Sequence, residues 1–382
     1  MVINIAYIID TIETPYAGTE KQLLMLVENL DRERFCPHLI CLRTSEWLKE
    51  RELSCPVCIL DLESFKSLDI FRAFIVFKRF CHDYNISIVQ TFFRDGNIFG
   101  SLAAYLSGVK AIISSRRNYG FGYWHNRCQI SVLRAFKLIT TGYIANSKTT
   151  ADYTVESEKV RREKLHVIYN GLDLEKFERI SPDMRESYRR SVGIKPDEIL
   201  IGITANLRPI KNVPLFVRVA AITYKKFPHT RFLIVGEGPE RGKLEEMVAR
   251  YALDDRVIFA GQQGEILPLI SAMDIGVLCS TSESLSNSII EYMAAGLPCV
   301  VSEVGGNLEA LGYRYGFAFK SDDEEDVFTK LAPLIVNERL RLNVGRAARD
   351  YAFSKYDLRK IVEQYEGVYF KYFQRICSNK VC

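Results

Sequence analysis

The sequence lacks a long hydrophobic run. No stretch reaches about 18 consecutive apolar residues, so we expect no membrane-spanning helix. Residues 1–10 are apolar but short, and they carry neither a basic region nor a small-residue cleavage site before Asp10 interrupts them. They predict a first buried strand and no signal peptide, and we expect a cytoplasmic protein. There is no low-complexity tract, and a net charge of +4 is too small to indicate a nucleic-acid partner.

Cysteine does not occur in a pattern that would indicate a disulfide scaffold or a metal site. The ten cysteines are scattered over 382 residues, and Cys41, Cys279 and Cys299 fall in strand-like apolar runs that are typical of free buried thiols. Cys55 and Cys58 form a C-P-V-C pair. No second Cys/His pair accompanies them, so a structural role is favoured over metal binding.

Two other motifs favour simple structural interpretations. Gly236-Glu237-Gly238 begins like a dinucleotide fingerprint, but Arg241 occupies the third glycine position, which disfavours NAD binding. The acidic run at 322–326 precedes apolar residues at helical spacing. It predicts a helix N-terminus and not a metal site.

Short apolar runs alternate with longer helical stretches in two separate parts of the chain. One series extends from Ile3 to Ser115 and the other from Glu198 to Val301. The polar segment 175–197, with two prolines, is the best linker candidate between them. The pattern predicts two doubly wound α/β domains facing across a cleft, with ligands at the carboxyl ends of the strands.

The strongest functional signal lies between Thr281 and Glu303. A strand ends there, small polar residues follow, and a helix is predicted from about 286 to 295, stopped by Gly296. Backbone N–H groups at the start of such a helix bind anionic phosphate well. Carboxylates at Glu283 and Glu291 can each accept two hydroxyl hydrogen bonds, which suits a ribose or hexose diol.

The sequence has a motif in which seven residues separate Glu283 from Glu291 and M-A-x-G-x-P follows. This motif resembles the donor-site signature of the family 4 retaining glycosyltransferases, which have the two-domain GT-B fold. Further blocks follow the family's order: 17–20 (AGTE), 167–173 (VIYNGLD), 206–211 (NLRPIK), 235–239 (VGEGP), 257–261 (VIFAG) and 304–309 (VGGNLE). The resemblance implies an acceptor-binding domain at 1–178, a donor-binding domain at 198–354, and a last helix within 355–382 that crosses back to the first domain.

The resemblance also implies roles for individual residues. Glu291 would hold the ribose hydroxyls, and Glu283 the donor sugar. Lys211 with Arg208 would neutralise the leaving diphosphate, where negative charge develops, so that no metal or other cofactor is expected. The remaining donor-binding residues would be Gly18, Asn206, Gly238, Gln262, Ser284, Leu285, Ser286 and Asn287.

Two positions depart from the family pattern. Asn206 stands where the family usually has an arginine, and Arg208 is the candidate to replace it. Arg116 stands where the family often has a histidine on the acceptor side. The acceptor residues are therefore predicted from the local sequence, as Arg116, Arg117, Tyr119 and His125.

Residues 101–150 contain no Asp or Glu but several basic residues interleaved with aromatic ones. This composition fits either a basic surface face over core aromatics or an acceptor site for an anionic or lipid-linked sugar near the inner face of a membrane. Both interpretations stay open from the sequence.

The resemblance as a whole implies a retaining glycosyltransferase of polysaccharide or glycoconjugate biosynthesis. It would move a sugar from a UDP- or GDP-linked donor to a glycan, lipid-linked or small-molecule acceptor. Two alternatives remain: a nucleotide-sugar 2-epimerase of similar fold, and a non-catalytic protein that binds sugar nucleotides.

Overall fold

The computed structural model describes residues 2–118 and 127–378, with the backbone alone at 127–129. It divides into two compact units. The first comprises Met1–Gly171 and Arg359–Cys382, and the second is Leu172–Leu358. In the part of the chain that the structure describes, no helix is both long enough and apolar enough to cross a bilayer.

The first unit is built on a parallel sheet of seven strands. Their bounds are β1 (Ile3–Ile9), β2 (Phe35–Cys41), β3 (Val57–Ile59), β4 (Ile88–Thr91), β5 (Ala111–Arg116), β6 (Gly142–Ala145) and β7 (Leu165–Val167). The helices between them are α1 (Gly18–Asn29), α2 (Glu46–Lys49), α3 (Asp69–Asp83), α4 (Arg94–Leu106), α5 (Arg127–Phe136) and α6 (Lys148–Glu158). The central strands β1 and β4 are almost entirely buried, as strands covered by helices on both faces must be.

The second unit repeats the plan with a parallel sheet of six strands. They are β8 (Ile199–Thr204), β9 (Thr230–Val235), β10 (Val257–Gly261), β11 (Ile275–Leu278), β12 (Cys299–Ser302) and β13 (Phe317–Phe319). Its helices are α7 (Leu174–Glu178), α8 (Pro182–Ser191), α9 (Val213–Lys226), α10 (Arg241–Arg250), α11 (Leu267–Ala272), α12 (Asn287–Ala294), α13 (Asn307–Ala310), α14 (Glu324–Val336) and α15 (Glu338–Lys355).

The strand order reverses once in each sheet. The first sheet runs β3-β2-β1-β4-β5-β6-β7, and the second runs β10-β9-β8-β11-β12-β13. The reversal points therefore lie between β1 and β4 and between β8 and β11. In open parallel sheets, ligands bind beyond the carboxyl ends of the strands at such reversals. The prediction of two Rossmann-like α/β domains is confirmed.

The last helix, α16 (Leu358–Ser378), returns to the first unit, as expected. Tyr369 is fully buried there, with its ring 6.3 Å from that of Tyr7 and 6.1 Å from that of Phe35. Its hydroxyl lies 2.5 Å from Oε1 of Gln90 in β4. The helix thus contributes core side chains to a sheet that precedes it by more than half the chain.

The segment 175–197 is not a simple linker, because it contains most of α7 and all of α8. Arg185 and Arg189 of α8 both pair with Asp274, at 2.6 and 3.1 Å, directly before β11. Pro182 is the first residue of α8, where a proline costs no hydrogen bond. The segment 175–197 is polar because α8 is largely exposed on one side. The linker interpretation was therefore wrong.

The acidic run at 322–326 forms the start of α14, as its spacing predicted. The Asp323 side chain accepts a hydrogen bond from the backbone N–H of Asp326 at 2.9 Å, which caps the helix. In the described residues, no group of three or more His, Cys, Asp or Glu side chains is arranged to hold a metal ion.

Candidate functional site

Two loops at the reversal point of the second sheet bring Lys211 and Glu283 together. Lys211 follows β8 and Glu283 follows β11. The Lys211 ammonium donates a hydrogen bond to Oε1 of Glu283. The hydroxyl of Ser280 donates to the same oxygen at 2.8 Å. The side chains of Lys211 and Glu283 are 25% and 11% exposed, so the pair is only partly accessible to solvent.

Backbone contacts hold these two loops in place. The N–H of Thr281 donates to the carbonyl of Ile210 at 2.8 Å, which joins the Lys211 loop to the Glu283 loop. On the other side, the N–H of Gly306 donates to the Glu283 carbonyl at 3.1 Å. Gly305 has φ +50°, and a Cβ atom there would lie 1.7 Å from the Glu283 carbonyl oxygen. Only glycine permits this approach.

Helix α12 begins directly after these residues. The N-terminal end of the helix, at Asn287, carries the partial positive charge of the helix dipole, which favours a bound anion. Glu291, in the second turn, is 4% exposed, so its carboxylate is not a solvated surface charge. The helix is fixed to the end of β8, because Ser288 Oγ donates to the Thr204 carbonyl at 2.8 Å and the Thr204 N–H donates to Tyr292 Oη at 2.5 Å.

The other predicted donor-binding residues of the second unit also lie on loops at the carboxyl ends of its strands. Asn206 and Arg208 follow β8, and both are exposed. In the described part of the chain, no carboxylate lies within ion-pair distance of Arg208, so its charge is available to a ligand. Gly238 follows β9 and Gln262 follows β10, while Ser284, Leu285 and Ser286 lead into α12. Gly18 belongs to the other unit, where it begins α1.

A second cluster, which the sequence did not single out, occupies the reversal point of the first sheet. Asp10 directly follows β1, and Arg94 and Asp95 begin α4, just after β4. Arg43 follows β2 and donates to Asp95 Oδ2 at 3.2 Å, and it lies 3.7 Å from Asp10 Oδ2. The Gly96 N–H donates to Asp10 Oδ1 at 2.6 Å. The only signal in the sequence was that Asp10 immediately follows a buried strand.

This first-unit cluster has features that are common at binding sites. A partly open cleft of about 170 Å³ lies beside it, lined by Arg43, Leu62, Glu63, Ser64, Phe65, Arg94 and Asp95. Phe93, which precedes α4, has φ +58°, a strained conformation for a bulky side chain. Burial raises the pKa of Asp10 to about 6, an effect that the Gly96 N–H and Arg43 offset in part. The cluster therefore combines carboxylates and guanidinium groups, with the ring of Phe65 beside them.

Comparison with known proteins identifies the chain. The family model Glycosyltransferase Family 4 matches residues 16–176, and the model Glycosyl transferases group 1 matches residues 184–351. The structure of Anabaena Alr3699/HepE in complex with UDP and glucose aligns over 96% of this chain and 99% of its own, with a TM-score of 0.84 and 20% identity. The chain belongs to the family 4 glycosyltransferases.

Individual relatives of this glycosyltransferase differ in how much of their length is matched. N-acetyl-alpha-D-glucosaminyl L-malate synthase from Bacillus anthracis is 29% identical over 208 residues, 54% of this chain, and the match spans only about half (53%) of the relative. UDP-Gal:alpha-D-GlcNAc-diphosphoundecaprenol alpha-1,3-galactosyltransferase from Escherichia coli is 24% identical and is matched over 92% of this chain and 93% of its own length.

The predicted acceptor residues of this glycosyltransferase do not form one group among the described residues. Arg116 is 7% exposed and forms two 2.8 Å hydrogen bonds with Glu158, so its charge is engaged inside the first unit. Arg117 donates to Asn170 Oδ1 at 2.5 Å, within the 167–173 block. Tyr119 and His125 lie outside the described residues.

Proposed function

We propose that this family 4 glycosyltransferase is a retaining, metal-independent enzyme that moves a sugar from a UDP-sugar to a lipid-linked or glycan acceptor. The observation that carries the proposal is the Lys211–Glu283 pair beside the start of α12. A cation, a carboxylate and a helix N-terminus converge there at the reversal point of a parallel sheet. This combination suits a sugar joined to a diphosphate.

The pair has a direct chemical use in the proposed reaction. Cleavage of the bond between sugar and phosphate develops positive charge on the sugar and negative charge on the departing phosphate. Lys211 would leave Glu283 for the diphosphate, with Arg208 and the α12 N–H groups adding to the stabilisation of that charge. Glu283 would then accept hydrogen bonds from the donor sugar, and Glu291 from the ribose.

The identity of donor and acceptor is inferred from relatives. The Anabaena structures contain UDP, and the Escherichia coli relative is named for a UDP-galactose donor and a diphosphoundecaprenol-linked acceptor. We infer a nucleotide-sugar donor of the UDP class and an acceptor sugar carried on a lipid diphosphate, used at the cytoplasmic face of a membrane.

The acceptor is proposed to bind the first-unit cluster of Asp10, Arg43, Arg94 and Asp95. Its cleft of about 170 Å³ is smaller than the sites that enclose drug-sized ligands, so it suits a single sugar residue. Carboxylates and guanidinium groups bind vicinal hydroxyls through paired hydrogen bonds. Phe65, which is 38% exposed, would contact the apolar face of the ring.

One experiment tests the proposal and its alternatives. The purified chain is incubated with UDP-sugars and a lipid-diphosphate-linked acceptor sugar, and UDP release and product are measured. Lys211→Ala is expected to reduce turnover by about 10² or more, because it removes a group that stabilises developing charge. The matched control Lys225→Ala, an exposed lysine of α9, is expected to leave turnover unchanged. The product should retain the donor's anomeric configuration, and activity should survive EDTA.

The other outcomes each contradict part of the proposal. An inverted product contradicts retention, and loss of activity in EDTA with rescue by Mg²⁺ or Mn²⁺ contradicts metal independence. Release of UDP with an altered free sugar and no transfer would indicate the epimerase. Nucleotide binding without any turnover would indicate a non-catalytic protein.

A further inference from the structure

Three consecutive helices of the first unit form one continuous outer surface. Helices α3 and α4 pack against each other, and so do α4 and α5. The rings of Phe77 in α3 and Phe99 in α4 lie 6.1 Å apart in an edge-on arrangement, and both side chains are buried. Because the inner sides of these helices cover the sheet, their outer sides face solvent together. We call this surface the α3–α5 face.

The α3–α5 face carries an unusual amount of exposed apolar surface. Leu138, just after α5, and Leu68, just before α3, are 83% and 82% exposed, the highest values among the large apolar side chains that the structure describes. Phe71 and Ile75 follow at 66% and 65%, and α4 adds further exposed side chains, Leu102, Tyr105 and Leu106. Single exposed apolar residues are ordinary, but a contiguous group marks an interaction surface.

The apolar residues of α3 lie at helical spacing. Leu68, Phe71 and Ile75 are separated by three and then four positions, so they form one stripe along the helix, on the side opposite the buried Ala73 and Phe77. Helix α3 therefore has two apolar sides. One side packs against the core of the first unit, and the other is exposed and can contact a second apolar surface.

The same face is basic. Lys78 and Arg79 of α3 are exposed, as are Lys110, Arg134 and Lys137 around α4 and α5. Residues 101–150 contain no acidic residue at all. Asp69 and Asp83, the acidic residues of α3, lie at its two ends. The net charge of the face is therefore positive, with apolar side chains among the cations.

We propose that the α3–α5 face docks onto the surface of a bilayer that contains anionic phospholipids. Leu68, Phe71 and Ile75 would enter the boundary between headgroups and acyl chains, while the lysines and arginines contact phosphates. A second copy of this chain fits less well, because a two-fold interface would bring two positively charged surfaces together. The proposal depends on the proposed function only in that a lipid-linked acceptor is presented at such a surface.

Vesicle flotation with the full chain tests the docking face. Wild type is expected to float with vesicles of phosphatidylglycerol and phosphatidylcholine, at least tenfold more than with phosphatidylcholine alone, and raised salt should weaken the binding. The double variant Phe71→Ser/Ile75→Ser is expected to reduce the bound fraction about tenfold. The control Val336→Ser/Leu342→Ser, which changes two comparably exposed apolar residues of the second unit, should bind like wild type.

A charge variant and an activity measurement complete the experiment. Lys110→Glu/Lys137→Glu should abolish the preference for anionic vesicles even if the serine variant does not fold. Turnover on a water-soluble acceptor analogue should be unchanged in all variants, which separates failure of docking from failure of the proposed function. Equal flotation of all variants would overturn the proposal. So would a dimer in light scattering that the serine variant abolishes while wild type leaves vesicles unbound.

Discussion

Each of the two units contains carboxylate side chains that are largely buried at its candidate binding site. Glu283 and Glu291 in the second unit and Asp10 in the first are all largely excluded from water. A buried carboxylate is unfavourable unless hydrogen bonds or cations compensate for lost hydration. Here the compensating groups are Lys211 and Ser280 for Glu283, and Gly96 with Arg43 for Asp10.

The raised pKa of Asp10 makes a prediction about stability. The pKa is about 6 in the folded protein and close to 3.8 when the chain is unfolded. Between these values the folded state holds a proton that the unfolded state has lost, so the contribution of Asp10 to stability falls as the pH rises from about 4 to about 6. The loss amounts to about 3 kcal/mol above that range.

Asp10→Asn removes this titration while keeping the size of the side chain and an acceptor for Gly96. From pH 4 to pH 7.5, the free energy of unfolding of the variant, relative to wild type, is therefore expected to rise by about 2–3 kcal/mol. Urea unfolding at both pH values measures it. Asp61→Asn, at an exposed aspartate, is the control. If the free energy of unfolding of Asp10→Asn differed from that of wild type by the same amount at both pH values, the prediction would be contradicted.

Which single residues could be predicted from the sequence depended on how local their signal was. Lys211 and Glu283 were selected because motifs surround them, but their pairing joins positions 72 residues apart and was not foreseen. Arg116 was assigned to the acceptor, yet Glu158, 42 residues away, engages it in the interior. Asp10 and Arg43 were missed, since each is a single charged residue close to the end of a strand and only the fold brings the two together.

At the level of elements, the strand and helix pattern was largely readable from apolar periodicity. The helix predicted from about 286 to 295 is observed as α12, Asn287–Ala294, and its stop at Gly296 has φ +78°. Helix α8 was misread as linker because its buried contacts come from arginines, which hydrophobic periodicity does not count.

The contact between Gly305 and the loop that holds Glu283 predicts how a substitution of Gly305 changes stability and turnover. Gly305→Ala would place a methyl group against the Glu283 carbonyl and would also strain a positive φ. The variant is expected to be less stable by about 1–3 kcal/mol and to lose turnover, since Glu283 must move. Thermal unfolding and UDP release would measure the two effects.

Gly242 provides the matched control for that substitution. It lies within α10, and an added Cβ meets nothing within 4 Å. Gly242→Ala is therefore expected to raise stability by roughly 0.5–1 kcal/mol and to leave turnover unchanged. If Gly305→Ala behaved like Gly242→Ala, the proposed support of Glu283 by the glycine loop would be wrong.

At the scale of the whole molecule, the sequence of the second unit is inserted between the two segments that form the first unit. The second unit is continuous from Leu172 to Leu358, whereas the first unit is completed by α16. The family resemblance implied this returning helix, and α16 carries an apolar stripe at Ile361, Tyr365, Val368, Tyr369 and Phe373. Of these, all but Phe373 are buried in the structure.

This arrangement predicts different behaviour for fragments. Residues 172–358 are expected to fold alone and unfold cooperatively, since both ends of the segment lie within its own unit. Residues 1–171 alone are expected not to unfold cooperatively, because Tyr7 and Phe35 lose the cover of α16. Joining 359–378 to residue 171 through a flexible linker should restore a cooperative thermal transition in circular dichroism. A cooperative transition of 1–171 without that helix would contradict this.

The position of α16 after the second unit also determines the order in which the protein can mature on a ribosome. The strands of the first unit emerge first, but their covering helix is translated only after the whole of the second unit. At elongation rates of about 5–20 residues per second, the first unit waits roughly ten seconds or more with apolar surface uncovered. The second unit can thus finish folding before the first unit, although it is translated later. We expect chaperones to bind the incomplete first unit during that interval.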